Sequence, residues 1–260
     1  SSLLKEHAEG LSVSIVYSPL DALKLAQENP DQQIVFVGVG FETTTPLVAM
    51  AIKRAKALGL KNFSVFVAHK NMPGALETIV SDPSLRIDAL ILPGHVSTII
   101  GMKPYEFLAK KYGIPGVITG FEAVDVLQGI AMIMRQLHEG RAEIEIAYTR
   151  GVAPEGNQVA VAAINEVFHT VDATWRGLGV IPGSGYAIRP EFAEFDAFQR
   201  FEPAVEPTQE PKGCRCGDVL RGMMAPNECP LFRKVCTPEN PVGPCMVSSE
   251  GSCAAYFRYL

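Results

Sequence analysis

Six cysteines, Cys214, Cys216, Cys229, Cys236, Cys245 and Cys253, are the residues of this sequence best equipped for chemistry, and residues 1–213 contain none. Such clustering implies a covalent or metal-based organisation of the tail. Three arrangements compete. Disulfides belong to oxidising compartments, and no basic segment followed by an apolar stretch and a cleavage site opens the chain. A structural zinc needs four ligands, commonly in two short-spaced pairs. Here only Cys214 and Cys216 are close, and a C-x-C pair chelates one tetrahedral ion poorly. A [4Fe–4S] cluster takes four thiolates from separated loops, which suits the gaps of twelve, six, eight and seven residues after Cys216. Pro230 and Pro238 would stiffen the loops that follow Cys229 and Cys236.

A cluster leaves two thiols over. In an extended C-x-C pair the two side chains share one face, about 7 Å apart by strand rise. One can then ligate while the other stands beside the cluster as a thiol. Cys216 is therefore a candidate redox cysteine with Cys245 as its candidate partner, and Cys214, Cys229, Cys236 and Cys253 remain as metal ligands.

Outside the tail the chemistry-bearing residues sit where strands run into helices. Glu42, Thr43 and Thr44 follow the glycine-ended run Val37-Gly38-Val39-Gly40 and open a helix, where α/β proteins commonly place ligand groups. They are expected to line a cleft, although the hydroxyls could equally cap the helix. These glycines do not spell G-x-G-x-x-G, so no nucleotide site is expected. His95, in Pro93-Gly94-His95, ends another apolar run, as does His69 with less support. Glu122 and Asp125 begin a helix, where carboxylates favour the positive dipole end. Glu250, between Cys245 and Cys253, is expected to bond loop amides or to move protons near the redox centre. No Ser/His/Asp arrangement is apparent.

The elements that position these groups read as α/β. Val13–Tyr17, Ile34–Val39, Phe63–Val67, Ala89–Leu92, Gly116–Ile118 and Ile144–Ala147 are short apolar runs of the kind that form buried parallel strands. Helical stretches lie between them: Asp21–Gln27 after Ser18-Pro19, Pro46–Leu58 closed by Gly59, and Phe121–His138 stopped by Gly140. One more helix is expected over Glu191–Phe201. Alternation of this kind predicts a mainly parallel sheet with flanking helices, plus an irregular cysteine-rich C-terminal iron–sulfur region. The expected division is an α/β body over 1–201, with room for two subdomains, a linker over 202–211, and the cysteine-rich region over 212–260. Three prolines spaced four residues apart make the linker extended. No internal repeat is visible.

Composition narrows the function. A net charge of −5 argues against nucleic-acid binding, and no apolar run approaches a membrane span. Cytoplasm is the default location. The chain starts Ser1-Ser2-Leu3-Leu4 without methionine, so an N-terminal part of a longer protein is expected to be absent.

The tail segments Cys214-Arg-Cys216-Gly-Asp-Val-Leu-Arg-Gly, Glu228-Cys229-Pro-Leu-Phe, Cys236-Thr-Pro and Gly243-Pro-Cys245-Met-Val-Ser-Ser-Glu250-Gly-Ser-Cys253-Ala-Ala-Tyr256 resemble the C-terminus of the HypD family of [NiFe]-hydrogenase maturation proteins. So do Gly40-Phe41-Glu42-Thr43-Thr44-Thr45-Pro46, Leu92-Pro93-Gly94-His95-Val96-Ser97 with Ile100-Gly101, and Gly120-Phe121-Glu122 with Asp125. The resemblance implies a redox-active assembly scaffold, rather than an enzyme of ordinary turnover, on which iron receives cyanide and carbon monoxide. It implies a HypC-family chaperone and a HypE-family cyanide donor as partners. It also implies a [4Fe–4S] cluster on Cys214, Cys229, Cys236 and Cys253, and a redox pair Cys216–Cys245, as in ferredoxin:thioredoxin reductase. Family members carry an N-terminal domain with further cysteines, including a Gly-Pro-Gly-Cys-Pro-Val-Cys stretch and the thiol that holds the iron. This sequence has neither, so it is expected to hold the cluster without the iron-assembly thiols. Two other classes stay open: a disulfide reductase of the ferredoxin:thioredoxin type, and a zinc-stabilised interaction module.

Overall fold

Helix and strand boundaries follow local chemistry closely in the computed structural model, which describes residues 3–204 and 211–260. In chain order the elements of the body are α1 (Leu3–Ala8), α2 (Pro19–Glu28), β1 (Ile34–Gly40), α3 (Thr45–Ala57), β2 (Phe63–His69), α4 (Met72–Val80), β3 (Leu90–Pro93), α5 (Gly94–Ile100), α6 (Glu106–Tyr112), β4 (Gly116–Thr119), α7 (Ala123–Glu139), β5 (Ile144–Ile146), α8 (Gln158–Val167), β6 (Phe168–Trp175), β7 (Gly179–Ile188) and α9 (Ala197–Phe201). The tail adds three short helices, α10 (Cys216–Leu220), α11 (Pro244–Val247) and α12 (Ser252–Tyr259). Ser18 Oγ accepts the Leu20 N–H and Pro19 takes the first helical position, so α2 starts at a built cap. Gly140, at φ 66°, ends α7 with the left-handed residue that helix C-termini favour.

The parallel strands lie in two sheets rather than one. β1 pairs with β2, β3–β4–β5 form a second parallel sheet, and β6–β7 make a separate antiparallel hairpin. Each parallel sheet has its own core. Ile52, Phe63, Phe168 and Phe195 fill the first, with α2, α3 and α8 packed over it. Leu92, Tyr105, Leu108 and Ile118 fill the second. A third, smaller core gathers the cysteines with Phe232, Met246 and Ala254.

Two sequence expectations need correction, and one element lies outside them. Val13–Tyr17 is not a strand: no described strand runs beside it, and its Ile15 and Tyr17 are 83% and 100% exposed. Glu191–Phe201 divides into a 3-10 turn (Pro190–Phe195) and α9, because Asp196 breaks the run and caps the second piece through the Phe198 and Gln199 N–H groups. The β6–β7 hairpin was not anticipated. Its signal was legible: His169, Val171, Ala173 and Trp175 alternate with exposed Thr170, Asp172 and Thr174, and a glycine-containing turn follows. The expected linker over 202–211 falls, at 205–210, outside the described residues.

A single amide ties the first core together at its base. Asn62 Nδ2 donates to the carbonyls of Ala26 (2.8 Å), Asn29 (3.0 Å) and Gln32 (2.9 Å), and the side chain is 7% exposed. Asn62→Ala would strand carbonyls that have little water to turn to, so a urea melt is expected to read a loss of about 2 kcal/mol.

Candidate functional site

The cysteines converge because four short pieces of tail are each pinned locally. Cys214 N–H donates to Pro211 O at 3.2 Å, and Arg215 starts α10, which carries Cys216 at its first position. Cys229 and Cys236 bracket a tight loop, in which Phe232 N–H bonds Cys229 O (3.0 Å) and Cys236 N–H bonds Leu231 O (3.0 Å). Arg233 closes this loop from a left-handed backbone (φ 56°), its guanidinium against the Phe232 and Phe257 rings and bonded to Phe257 O. Cys245 lies on α11 and Cys253 on α12, joined by the turn that carries Glu250.

All six cysteines line one space together with Val219, Phe232 and Met246. The atom-free volume between them is ≈ 310 Å³. No disulfide joins any of the six cysteines. Cys216, Cys236, Cys245 and Cys253 are buried, while Cys214 and Cys229 are partly covered. Cys245 Sγ and Cys253 Sγ stand 3.1 Å apart in hydrogen-bond contact, and Cys236 Sγ accepts the Val242 N–H at 3.4 Å. Burial pushes the Cys214 and Cys253 thiols up from their ordinary pKa. Among the described residues no three His, Cys, Asp or Glu side chains converge tightly enough to grip a single ion.

Ion pairs and backbone bonds fasten this tail to the body. Arg221, just past α10, reaches Asp82 Oδ2 at 2.7 Å, and its carbonyl accepts the Arg86 N–H at 3.2 Å. Ser84 and Arg221 together hold the Asp82 carboxyl down to about 2.

Glu250 points the tail toward the second candidate region. It lines an open cleft of ≈ 490 Å³ with Thr43 from the β1–α3 corner, Met72 at the start of α4, and His95 at the start of α5. Phe41 and Phe121 form its aromatic walls, and Phe121 lies against the His95 ring with centroids 4.3 Å apart. The cleft thus gathers the C-terminal ends of β1, β3 and β4, where ligand groups of α/β proteins usually sit.

Not every expected residue faces this cleft. Glu42 is buried behind its wall, 2% exposed. Its Oε1 accepts the Met72 N–H at 3.0 Å and its Oε2 meets no partner, so desolvation raises its pKa to about 7. Thr44 flanks α3, donating to Phe41 O at 3.2 Å. Gly40 permits that corner: it holds φ +147°, and a Cβ there would fall 2.3 Å from Thr44 Oγ1. Glu122 is exposed at the start of α7, where its N–H bonds Asp125 Oδ2 at 3.4 Å and Arg150 grips Asp125 through two 2.6 Å bonds. His69 is buried at the end of β2 with both ring nitrogens unpartnered, and burial lowers its pKa to about 4.

The aromatic walls are what sequence reasoning missed as site residues. Their signal is a short repetition, since Gly40-Phe41-Glu42 and Gly120-Phe121-Glu122 both leave a parallel strand and enter a helix.

Known proteins match this sequence along its length. The HypD family profile, described as the hydrogenase formation hypA family, covers residues 1–260. The hydrogenase expression/formation protein HupD of Azotobacter chroococcum mcd 1 is 50% identical over 266 residues, which is 99% of this chain and 70% of that protein. The hydrogenase maturation factor HypD of Azotobacter vinelandii is 49% identical, with 99% and 70% covered. The factor of the same name in Escherichia coli (strain K12) is 45% identical, with 99% and 69% covered. With the profile matched from end to end and close to half of all positions shared with these relatives, the chain belongs to the HypD family of hydrogenase maturation factors.

Proposed function

We propose that this chain is the redox and cleft-forming part of a scaffold that assembles the Fe(CN)2CO group of a [NiFe]-hydrogenase. In this reading Cys214, Cys229, Cys236 and Cys253 hold a [4Fe–4S] cluster, and Cys216 and Cys245 are its exchange pair. The observation that carries it is the space lined by all six cysteines, whose Cys245–Cys253 wall is followed along the chain by Glu250, which lines the cleft of Thr43 and His95.

The donor set fits a cluster. Six thiols line one space with apolar Val219, Leu231 and Phe232 and with Arg215, and the Val242 N–H already points at Cys236 Sγ. Hydrogen bonds of that kind tune cluster potential. A single zinc would need four donors drawn to one centre. When bound, the cluster supplies electrons singly. Reduction of a Cys216–Cys245 disulfide takes two electrons and two protons and yields two thiols. The 3.1 Å approach of Cys245 to Cys253 sets an exchange sulfur against a ligand sulfur. Glu250, exposed on the turn between them, can carry protons between that pair and the cleft.

The iron with its cyanide and carbon monoxide ligands is the cargo, and His95, Thr43 and Glu250 are the polar groups that face it. Small chaperone and cyanide-donor proteins of the HypC and HypE families would deliver to this cleft. The cytoplasm is the location proposed for this chain; no described helix is long and apolar enough to cross a membrane.

Cys216→Ser separates the two roles. Anaerobically purified variant protein is expected to keep its iron and its brown colour while losing thiol–disulfide exchange. Loss of colour would overturn the ligand assignment. A chain that kept both colour and exchange would remove Cys216 from the pair.

A further inference from the structure

The proposed exchange pair is carried by two separate tail segments, and one turn of the body touches both. This is the tip of the β6–β7 hairpin. Arg176 Nη2 donates to Val242 O at 2.9 Å, three residues before Cys245. On the other side Gly177, at φ +88°, lies over Cys216: a Cβ built there would stand 3.8 Å from Cys216 Sγ. The fit extends to the next residue, since a Cβ on Gly217 would fall 2.7 Å from Gly177 O. Glycine at 217 is thus what lets the turn settle on the Cys216 segment. Cys216 is left 3% exposed.

We infer that this turn restricts disulfide exchange at Cys216 to the internal pair and to small partners, with Arg176 as a specificity-determining residue. The inference rests on the reading of Cys216 as an exchange thiol. Exchange proceeds by attack of the Cys216 thiolate on one sulfur of a disulfide, giving a mixed disulfide and releasing the other sulfur as a thiolate. Cys245 then attacks Cys216 Sγ and frees the second partner thiol, so the partner gains two electrons and two protons that the pair gives up. The attacked sulfur must approach Cys216 Sγ directly. What remains open there is an atom-free pocket of ≈ 230 Å³, bounded by Arg176 and Gly177 on the hairpin and by Pro211 and Pro244 on the tail. Only ≈ 20 Å³ of it admits a water centre. A small thiol reagent can reach the sulfur with slight movement of the turn, whereas a disulfide on a protein surface brings backbone that collides with it. The hairpin thus separates an internal relay from a general protein-disulfide reductase.

The test measures labelling of Cys216 in the purified, cluster-loaded chain after mild reduction. Iodoacetamide is compared with a maleimide carried on a polyethylene glycol chain, and modification is read by peptide mass spectrometry. Each rate is divided by that of the same reagent with glutathione. In the unmodified chain the bulky reagent is expected to be slower by a factor of about 30, because exchange and alkylation rates follow access. Arg176→Ala, which removes the bond to Val242 from an exposed side chain, is expected to narrow that gap about tenfold with the visible absorbance unchanged. If Arg176→Ala costs the chromophore, Arg176→Gln keeps one donor and provides the same comparison. A size ratio that is unity at the outset, or unaltered in the variants, overturns the cover. Cys216 inert to iodoacetamide in every protein overturns the exchange-thiol reading itself, and the cover with it.

Discussion

Cys236→Ser is expected to abolish the brown chromophore and reduce bound iron to less than about a tenth of the unmodified level, since each of four thiolates is required to hold a cubane cluster. Of the four proposed ligands, Cys236 is the one best built into its surroundings. It is buried, its N–H is fixed by Leu231 O, and its sulfur already accepts the Val242 N–H. A serine oxygen is harder, shorter in reach and far less acidic than a thiol, so it cannot replace that sulfur. The consequence for structure should be local. Binding of a metal group and folding of its ligand loops share one free energy, so losing the group should loosen those loops while Arg221 and Arg176 still anchor the tail to the body. Its core is a handful of residues around Phe232 and Met246, separate from those of both parallel sheets. Far-ultraviolet circular dichroism should therefore change little while the tail becomes open to protease. Retained colour in this variant would remove Cys236 from the ligand set.

Glu42→Gln should stabilise the chain at alkaline pH by about 3 kcal/mol and do nothing near pH 4. The carboxyl is buried, with one oxygen on the Met72 N–H and the other bare, and its pKa rises to about 7 from an ordinary 4.5. A folded-state pKa above the unfolded one means the native state holds a proton that the unfolded chain releases. Stability is therefore undiminished below about 4.5, declines as pH rises through the interval to about 7, and stays low above it. Glutamine keeps an oxygen for Met72 and cannot ionise, so the variant lacks that decline. His69 moves in the opposite sense, because its folded pKa of about 4 makes folding less favourable as pH falls from 6.5. Its contribution is common to both proteins and cancels in their difference. Urea melts between pH 4 and 9 provide the check. A difference that stays flat across that range would mean that Glu42 is solvated.

Much of this was written in short-range chemistry. Parallel strands announced themselves as apolar runs, and helix ends as Ser18-Pro19, Gly59 and Gly140. The six cysteines marked the tail as a segment with an organisation of its own, and there they share one small core. What could not be read was pairing. Val13–Tyr17 has the composition of a strand, but a strand exists only with a neighbour, and the described residues offer it none. Two parallel sheets rather than one is likewise a matter of long-range association. Glu42 illustrates a subtler limit. Its place in Gly-Phe-Glu-Thr-Thr put it at a strand end, yet one residue's difference along the corner turns Thr43 into the cleft and Glu42 into the wall. The β6–β7 hairpin was the avoidable omission, since its alternation is plain in the sequence. It is also the element that reaches Cys216.

The account stands on a cluster held by tail thiolates, and its most direct test is the metal and sulfide content of protein isolated without oxygen. The expected result is about four irons and four acid-labile sulfides per chain, with a broad visible absorption that fades on Cys236→Ser. A folded, colourless chain carrying one zinc and no iron would contradict it.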